Sequence, residues 1–224
     1  MKAFADLYFS LDATTSNNAK LLAMQQYFLQ ASADDAAWAV YFLAGGKPRQ
    51  LVPTKLLRQL TLQASALPDW LFEESYQAVG DLAETMTLLL PETSHSSNEG
   101  LATWVQDMLP LRGLPPETLL QQLAPLLNTL DRRSQLVCIK LITGSFRVGV
   151  SRLLVTRALA AVADVDAKRI AQRLVGYTDA ATPAYRGALS APGCASQCRR
   201  RRADGRPAIP FLFGAPATVN YRQS

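Results

Sequence analysis

The residues best suited to binding phosphate lie in one stretch, Lys140–Arg157, which reads KLITGSFRVGVSRLLVTR. A helix is expected to end near Thr143, because Gly144 can adopt the left-handed conformation that closes a helix. Arg147 then lies in the connection, where its side chain can reach outward. Gly149 has no Cβ atom and therefore permits the close approach of another backbone.

The next helix is expected to begin at Ser151, whose hydroxyl can cap it. Its first N–H groups then lack partners, and Arg152 lies in its first turn. Such a helix N-terminus beside arginines favours a phosphate. Arg157 lies about 140° further around the helix than Arg152 and need not share its face. A plain helix–turn–helix connection with incidental arginines remains the alternative.

Other basic residues are weaker candidates for phosphate contacts, because each fits a solvated surface charge as well. Gly80 precedes Asp81 at a helix junction. It either brings a backbone amide close to a polyanionic strand or simply ends a helix. The basic candidates are Lys20, Arg132, Arg133, Arg169 and Arg173.

Apolar residues follow helical spacing almost throughout, and no useful β-alternation appears. The sequence therefore predicts an all-α fold, a compact multi-helix domain of about ten helices. Trp38, Trp70 and Trp104 lie on apolar faces and are predicted core residues. In the first half, helices are predicted over 4–11, in the segment that follows a cap at 14–16, between a cap at Ser32 or Asp34 and residues 45–46, in the segment that opens at 53, over 68–80, and between Asp81 and residue 91. In the second half, they are predicted over 99–109, 116–129 and 131–143, in the segment that starts near 151, and over 166–175.

The chain changes character near residue 182. Residues 1–182 form the predicted helical domain, and 183–224 form an Arg/Gly/Pro-rich tail that we expect to be disordered or out of register. Net charge is −6 over residues 1–130, +5 over 131–182 and +6 over 183–224. This concentration of positive charge indicates a polyanionic partner, with a solvated basic face as the alternative.

Neither the cysteines nor the N-terminus indicates secretion or a metal site. The chain has an odd number of cysteines, Cys138, Cys194 and Cys198, which does not suit a framework of disulfides. The single histidine, His95, lies far from them in sequence, so a zinc site lacks ligands. The start MKAFADLYFSLD is interrupted by acidic residues, unlike a signal peptide. No apolar run approaches the roughly 20 residues of a membrane span. We therefore expect a soluble, cytoplasmic monomer without metal.

Several long segments together resemble the N-terminal DNA-binding domain of bacterial ATP-dependent DNA ligases. They occur in the family's order and cover about residues 1–182. They read FADLYFSLDATTSNNAKLLAMQQYF, YFLAGGKPRQLV, WLFEESYQAVGDLAETMTLLLP and KLITGSFRVGVSRLLVTRALA. The resemblance implies a helical domain that holds duplex or nicked DNA through backbone phosphates. It also implies a role in DNA repair, replication and recombination, and a location at the nucleoid.

The ligase family uses ATP and Mg²⁺ and carries AMP on the lysine of a K-x-D-G motif, to seal nicks. None of the six lysines here is followed by x-D-G, and the nearest match begins with Arg202. A guanidinium stays protonated and is a poor nucleophile. We therefore expect no catalytic residue and no cofactor in this chain, with the adenylation and OB domains absent. The tail suggests a truncated or frame-shifted product, or a deliberate fragment.

The sequence thus predicts a duplex-DNA binder without sequence specificity. A complete ligase and a helical protein-interaction scaffold that does not bind DNA are the rival interpretations. The predicted contact residues are Thr143, Gly144, Arg147, Gly149, Ser151, Arg152, Arg157, Gly80, Lys20, Arg132 and Arg133.

Overall fold

Helices make up the regular structure of the protein in a computed structural model, which describes residues 1–46, 51–91 and 98–174. Within these ranges there are eleven α-helices, one 3₁₀ turn and no strand, which confirms the all-α prediction. The predicted tail, 183–224, lies outside the described residues. The helices are α1 Lys2–Asp12, α2 Asn17–Gln30, α3 Ala33–Leu43, α4 Thr54–Ser65, α5 Asp69–Val79, α6 Leu82–Leu89, α7 Leu101–Met108, the 3₁₀ turn Leu109–Leu111, α8 Pro116–Asn128, α9 Arg132–Thr143, α10 Arg152–Ala163 and α11 Ala167–Leu174.

The predicted N-terminal caps explain where several helices begin. Ser16 and Ser32 accept hydrogen bonds from the amides three residues on, at 3.4 and 3.1 Å. Asp81 caps α6 in the same way at 2.9 Å, and Ser151 caps α10 at 3.2 Å. Each of these side-chain oxygens satisfies one of the amides that a helix start leaves without a partner.

The helices divide into two compact units that the chain visits alternately. The first unit is Met1–Thr14 with Lys47–Gly149, and the second is Thr15–Gly46 with Val150–Ser224, described to residue 174. The sequence-based prediction of one domain over residues 1–182 did not indicate this division.

In the first unit, α9 packs against α1 and α6, α6 against α4 and α5, and α4 against α8. The core contains Phe4, Phe72 and Met86, all essentially without solvent exposure. Trp104 is buried as predicted. The prediction that Trp70 belongs to the core is wrong, since it is 66 % exposed while Phe72 supplies the buried side of α5.

In the second unit, α10 packs against α2, α3 and α11. Buried side chains on α10 include Leu154, Val155 and Leu159, and α2 contributes Met24 and Phe28. This packing fixes which side of α10 faces solvent. Within the described ranges, no helix combines the length and the hydropathy needed to cross a membrane.

Candidate phosphate-binding surface

The end of α9 has the geometry that the sequence predicts. Gly144 follows the helix with φ +72°, in the left-handed region. Its amide donates to the carbonyl oxygen of Leu141 at 3.3 Å, and the amide of Phe146 donates to that of Lys140 at 3.1 Å. The hydroxyl of Thr143 donates to the carbonyl oxygen of Ile139 at 2.8 Å. These bonds fix the direction in which the chain leaves the helix.

Beyond Gly144, side chains of the connection alternate between the interior and solvent. Phe146 stacks on Phe4 with ring centroids 5.7 Å apart and lies 5.4 Å from the ring of Tyr8. Val148 is buried, whereas Arg147 between them is exposed. The two apolar neighbours therefore anchor the connection and hold Arg147 on the outside of the first unit.

Gly149 ends this segment of the first unit. It is exposed and has φ +57°, a backbone conformation that residues other than glycine rarely adopt. Its residue type is therefore explained by the backbone conformation alone. The close approach of a second backbone at Gly149 stays a prediction.

The second unit contributes the start of α10. Ser151 accepts the hydrogen bond from the amide of Leu154, so the amides of Arg152 and Leu153 precede the first bonds of the helix. Arg152 and Arg157 are exposed. Both arginines and Arg147 lack an ion pair with any carboxylate in the part of the chain that the structure describes. The residues predicted for this site thus belong to both units, Arg147 to the first and Arg152 and Arg157 to the second.

Arg132 and Arg133 differ from these three because they have internal contacts. Arg133 lies 3.5 Å from Asp6 and its guanidinium lies 4.9 Å from the ring centroid of Phe9. Arg132 donates to the carbonyl oxygen of Leu88 at 3.4 Å. Both residues are on the N-terminal turn of α9. Asp6 partly offsets the charge of Arg133, whereas Arg147 has no such acidic partner among the described residues.

Lys20 is buried, and Gly80 ends a helix, which is one of the two roles that the sequence offered for it. Lys20 is only 7 % exposed, so neither a solvated charge nor a ready surface contact describes it. The amide of Gly80 donates to the carbonyl oxygen of Tyr76 at 2.8 Å, with φ +78°. Gly80 is therefore the C-cap of α5, and its amide is already bonded within the protein. Arg169 is exposed, and the side chain of Arg173 lies outside the described residues.

The family model described as DNA ligase N terminus matches residues 1–160. The chain belongs to the DNA ligase N-terminal domain family. The match includes Arg147, Arg152 and Arg157 and confirms the resemblance seen in the sequence. No curated protein matches the chain.

A polar network that no local sequence pattern predicts joins three helices of the first unit of this ligase N-terminal domain. The ammonium of Lys140 on α9 donates to Asp81, the cap of α6, at 2.8 Å. Burial opposes the charge on both groups. The hydrogen bond between them, together with charge attraction and the amides of Ala83 and Glu84 that donate to Asp81, outweighs burial. The pKa of Asp81 is therefore lowered and the pKa of Lys140 is raised. Burial raises the pKa of Tyr8 on α1, while Lys140 acts in the opposite direction.

This network fixes the helix that leads into the candidate surface. Asp81 and Lys140 are 59 residues apart in sequence, so no local pattern connects them. The capping position of Asp81 was recognisable, but its second role was not. Lys140 lies one turn before Gly144, so the ion pair positions the end of α9 relative to α6.

The domain shows no group of three or more metal-binding side chains within the described ranges. Cys138 is buried, and burial raises the pKa of its thiol well above the ordinary value. His95, Cys194, Cys198 and Arg202 lie outside the described residues.

Proposed function

We propose that this chain is the DNA-binding part of an ATP-dependent DNA ligase that acts in repair, replication and recombination. The observation that carries the proposal is the set of three exposed arginines without acidic partners, Arg147, Arg152 and Arg157, inside the family match. Elsewhere in the described chain, Arg58, Arg133 and Lys140 each pair with a carboxylate. Unpaired guanidinium groups at a surface are suited to phosphate oxygens.

The proposed binding has no sequence specificity, because phosphates position a protein on DNA but carry no base identity. Arg147 is held outward by the stacked ring of Phe146 and the buried side chain of Val148. The amides of Arg152 and Leu153 add partial positive charge at the start of α10. Each group can act on any strand of suitable geometry. We propose duplex DNA, nicked or intact, as the ligand.

Catalysis is proposed to belong to other parts of a ligase. Adenylation needs a lysine nucleophile, and no lysine here is followed by x-D-G. ATP and Mg²⁺ are accordingly proposed as ligands of the complete ligase and not of these residues. A monomer in the cytoplasm, associated with the nucleoid, is the corresponding cellular form.

A helical scaffold that binds proteins is the second candidate, and the exposed Trp70 on α5 favours it. An indole that is 66 % exposed on a helix surface is the type of side chain that protein interfaces use. The face of α5 that carries Trp70 belongs to the first unit and lies outside the predicted phosphate contacts.

Salt-titrated binding to fluorescent nicked and intact duplexes tests the proposal. DNA binding through several phosphates is expected to weaken steeply with salt, with a log–log slope of about −0.9 per phosphate neutralised. Duplexes of unrelated sequence are expected to bind equally well. Absence of binding at low salt would contradict the proposal and favour the scaffold. Covalent labelling of the chain by radioactive ATP would instead favour the complete enzyme.

A further inference from the structure

Leu153 is the most exposed large apolar side chain in the described chain, at 68 %. It lies in the first turn of α10, directly after Arg152 and one turn before Arg157. Full burial of a leucine is worth about 1.5–3 kcal/mol. Most of the Leu153 side chain therefore remains in contact with water in the free protein. It lies on the helix where Arg152 and Arg157 have no acidic partners among the described residues.

Helix geometry places Leu153 among the cationic groups. Successive residues are about 100° apart, so Leu153 and Arg157 differ by about 40° and share one face. Arg152 is the preceding residue on the same first turn. The cap at Ser151 and the buried side chains of Leu154 and Val155 fix the orientation of this turn.

The charge of α10 indicates what covers Leu153. Residues Arg152–Ala163 include two arginines and no acidic residue. An apolar side chain between two unpaired cations complements a surface that alternates apolar and anionic groups. The strand of a nucleic acid has this alternation, since apolar sugar faces lie between successive phosphates.

We propose that Leu153 packs against the deoxyribose surface of the DNA strand whose phosphates contact Arg152 and Arg157. This inference rests on the proposed DNA binding and adds an apolar contact to it. Leucine is among the apolar side chains that proteins place against DNA. The contact carries no charge, so it contributes affinity without releasing counterions.

The test separates an apolar contact from an ionic one by salt dependence. Leu153→Ala is expected to weaken binding to a fluorescent duplex about tenfold at every salt concentration, so that the slope is unchanged. Arg157→Ala is expected to weaken binding and also to reduce the slope by about 0.9. Leu153→Met, which keeps an apolar side chain of similar volume, is expected to retain most of the affinity.

Leu29→Ala is the matched control, because Leu29 is 53 % exposed on α2 of the same unit and has no arginine beside it on that helix. Its DNA affinity is expected to equal that of the unaltered chain. Leu153→Ala binding that equals the control would overturn the inference while leaving DNA binding intact, and would favour a protein partner for this residue. A changed slope in Leu153→Ala would also overturn it. Failure of the unaltered chain to bind would overturn both proposals.

Discussion

Asp81 has two separable roles, and two substitutions distinguish them. Its Oδ1 atom caps α6 and its Oδ2 atom binds Lys140. Asn also caps helices, so Asp81→Asn removes the charge while keeping the cap. Asp81→Ala removes both. The difference in the free energy of unfolding between the two variants therefore measures the cap, and the loss in the Asn variant measures the ion pair.

The expected sizes follow from the exposure of the pair. The side chain of Lys140 is 11 % exposed and that of Asp81 is 38 % exposed. A hydrogen bond to a charged group contributes about 1.5–3 kcal/mol, and partial exposure lowers this value. We expect Asp81→Asn to reduce the free energy of unfolding by about 1–2 kcal/mol. Asp81→Ala is expected to lose about 1 kcal/mol more through the cap.

Urea unfolding of the whole chain, followed by far-ultraviolet circular dichroism, measures these losses. Asp107→Asn is the control, because Asp107 is an exposed acid of the same unit with no ion pair among the described residues. It is expected to unfold like the unaltered chain. Equal stability of Asp81→Asn and the control would refute the argument that the ion pair holds α6 to α9.

The pH dependence of the Asp81→Asn deficit provides a second check. The pKa of Asp81 is below its ordinary 3.8, so the deficit is complete above that pH and disappears as the pH falls through the lowered value. The pKa of Lys140 is above its ordinary 10.5, so the deficit persists up to that pH and declines as the pH rises through the raised value. A deficit that grows on acidification would contradict this assignment.

Four further substitutions, at three positions, test the structure around the predicted contact residues. Gly144→Ala is expected to reduce the free energy of unfolding by about 1–2 kcal/mol, because φ at this position is +72°. An added Cβ atom meets nothing within 4 Å, so the cost comes from the backbone conformation alone, and an unchanged urea midpoint would contradict this. Ser151→Ala is expected to reduce the free energy of unfolding by about 1 kcal/mol, because the helix cap is lost. Ser151→Asp should keep the cap and weaken duplex binding through its negative charge, and tighter binding would contradict a phosphate at this helix start. Phe146→Ala is expected to reduce the free energy of unfolding by about 2 kcal/mol, because its ring packs on Phe4 and Tyr8. It should also weaken DNA binding, since Arg147 is no longer held in place. A melting temperature equal to that of the unaltered chain would show that the ring does not anchor the connection.

Features set by neighbouring residues were predictable from the sequence. The caps at Ser16, Asp81 and Ser151 and the left-handed Gly144 all depend on a few consecutive positions. The exposure of Arg147 was equally accessible, since it lies between two apolar residues in a short connection. Local rules of helix termination and capping are strong enough to decide these cases.

Features set by distant residues were not predictable in the same way. The burial of Lys20 depends on tertiary packing and not on the polar stretch around it. Trp70 is exposed although its neighbours suggested a core face, because the buried side of α5 carries Phe72. The ion pair of Lys140 with Asp81 joins positions far apart in the chain. The division into two units likewise follows from long-range contacts that periodicity does not contain.

The salt dependence of duplex binding by Arg147→Ala tests the central claim most directly. If Arg147 neutralises one phosphate, its removal should flatten the log–log slope by about 0.9 and weaken binding equally on all sequences. Arg112→Ala removes the same charge from an exposed arginine of the same unit outside the candidate surface, and should change binding little. An Arg147→Ala chain with the affinity and slope of the unaltered protein would contradict the account.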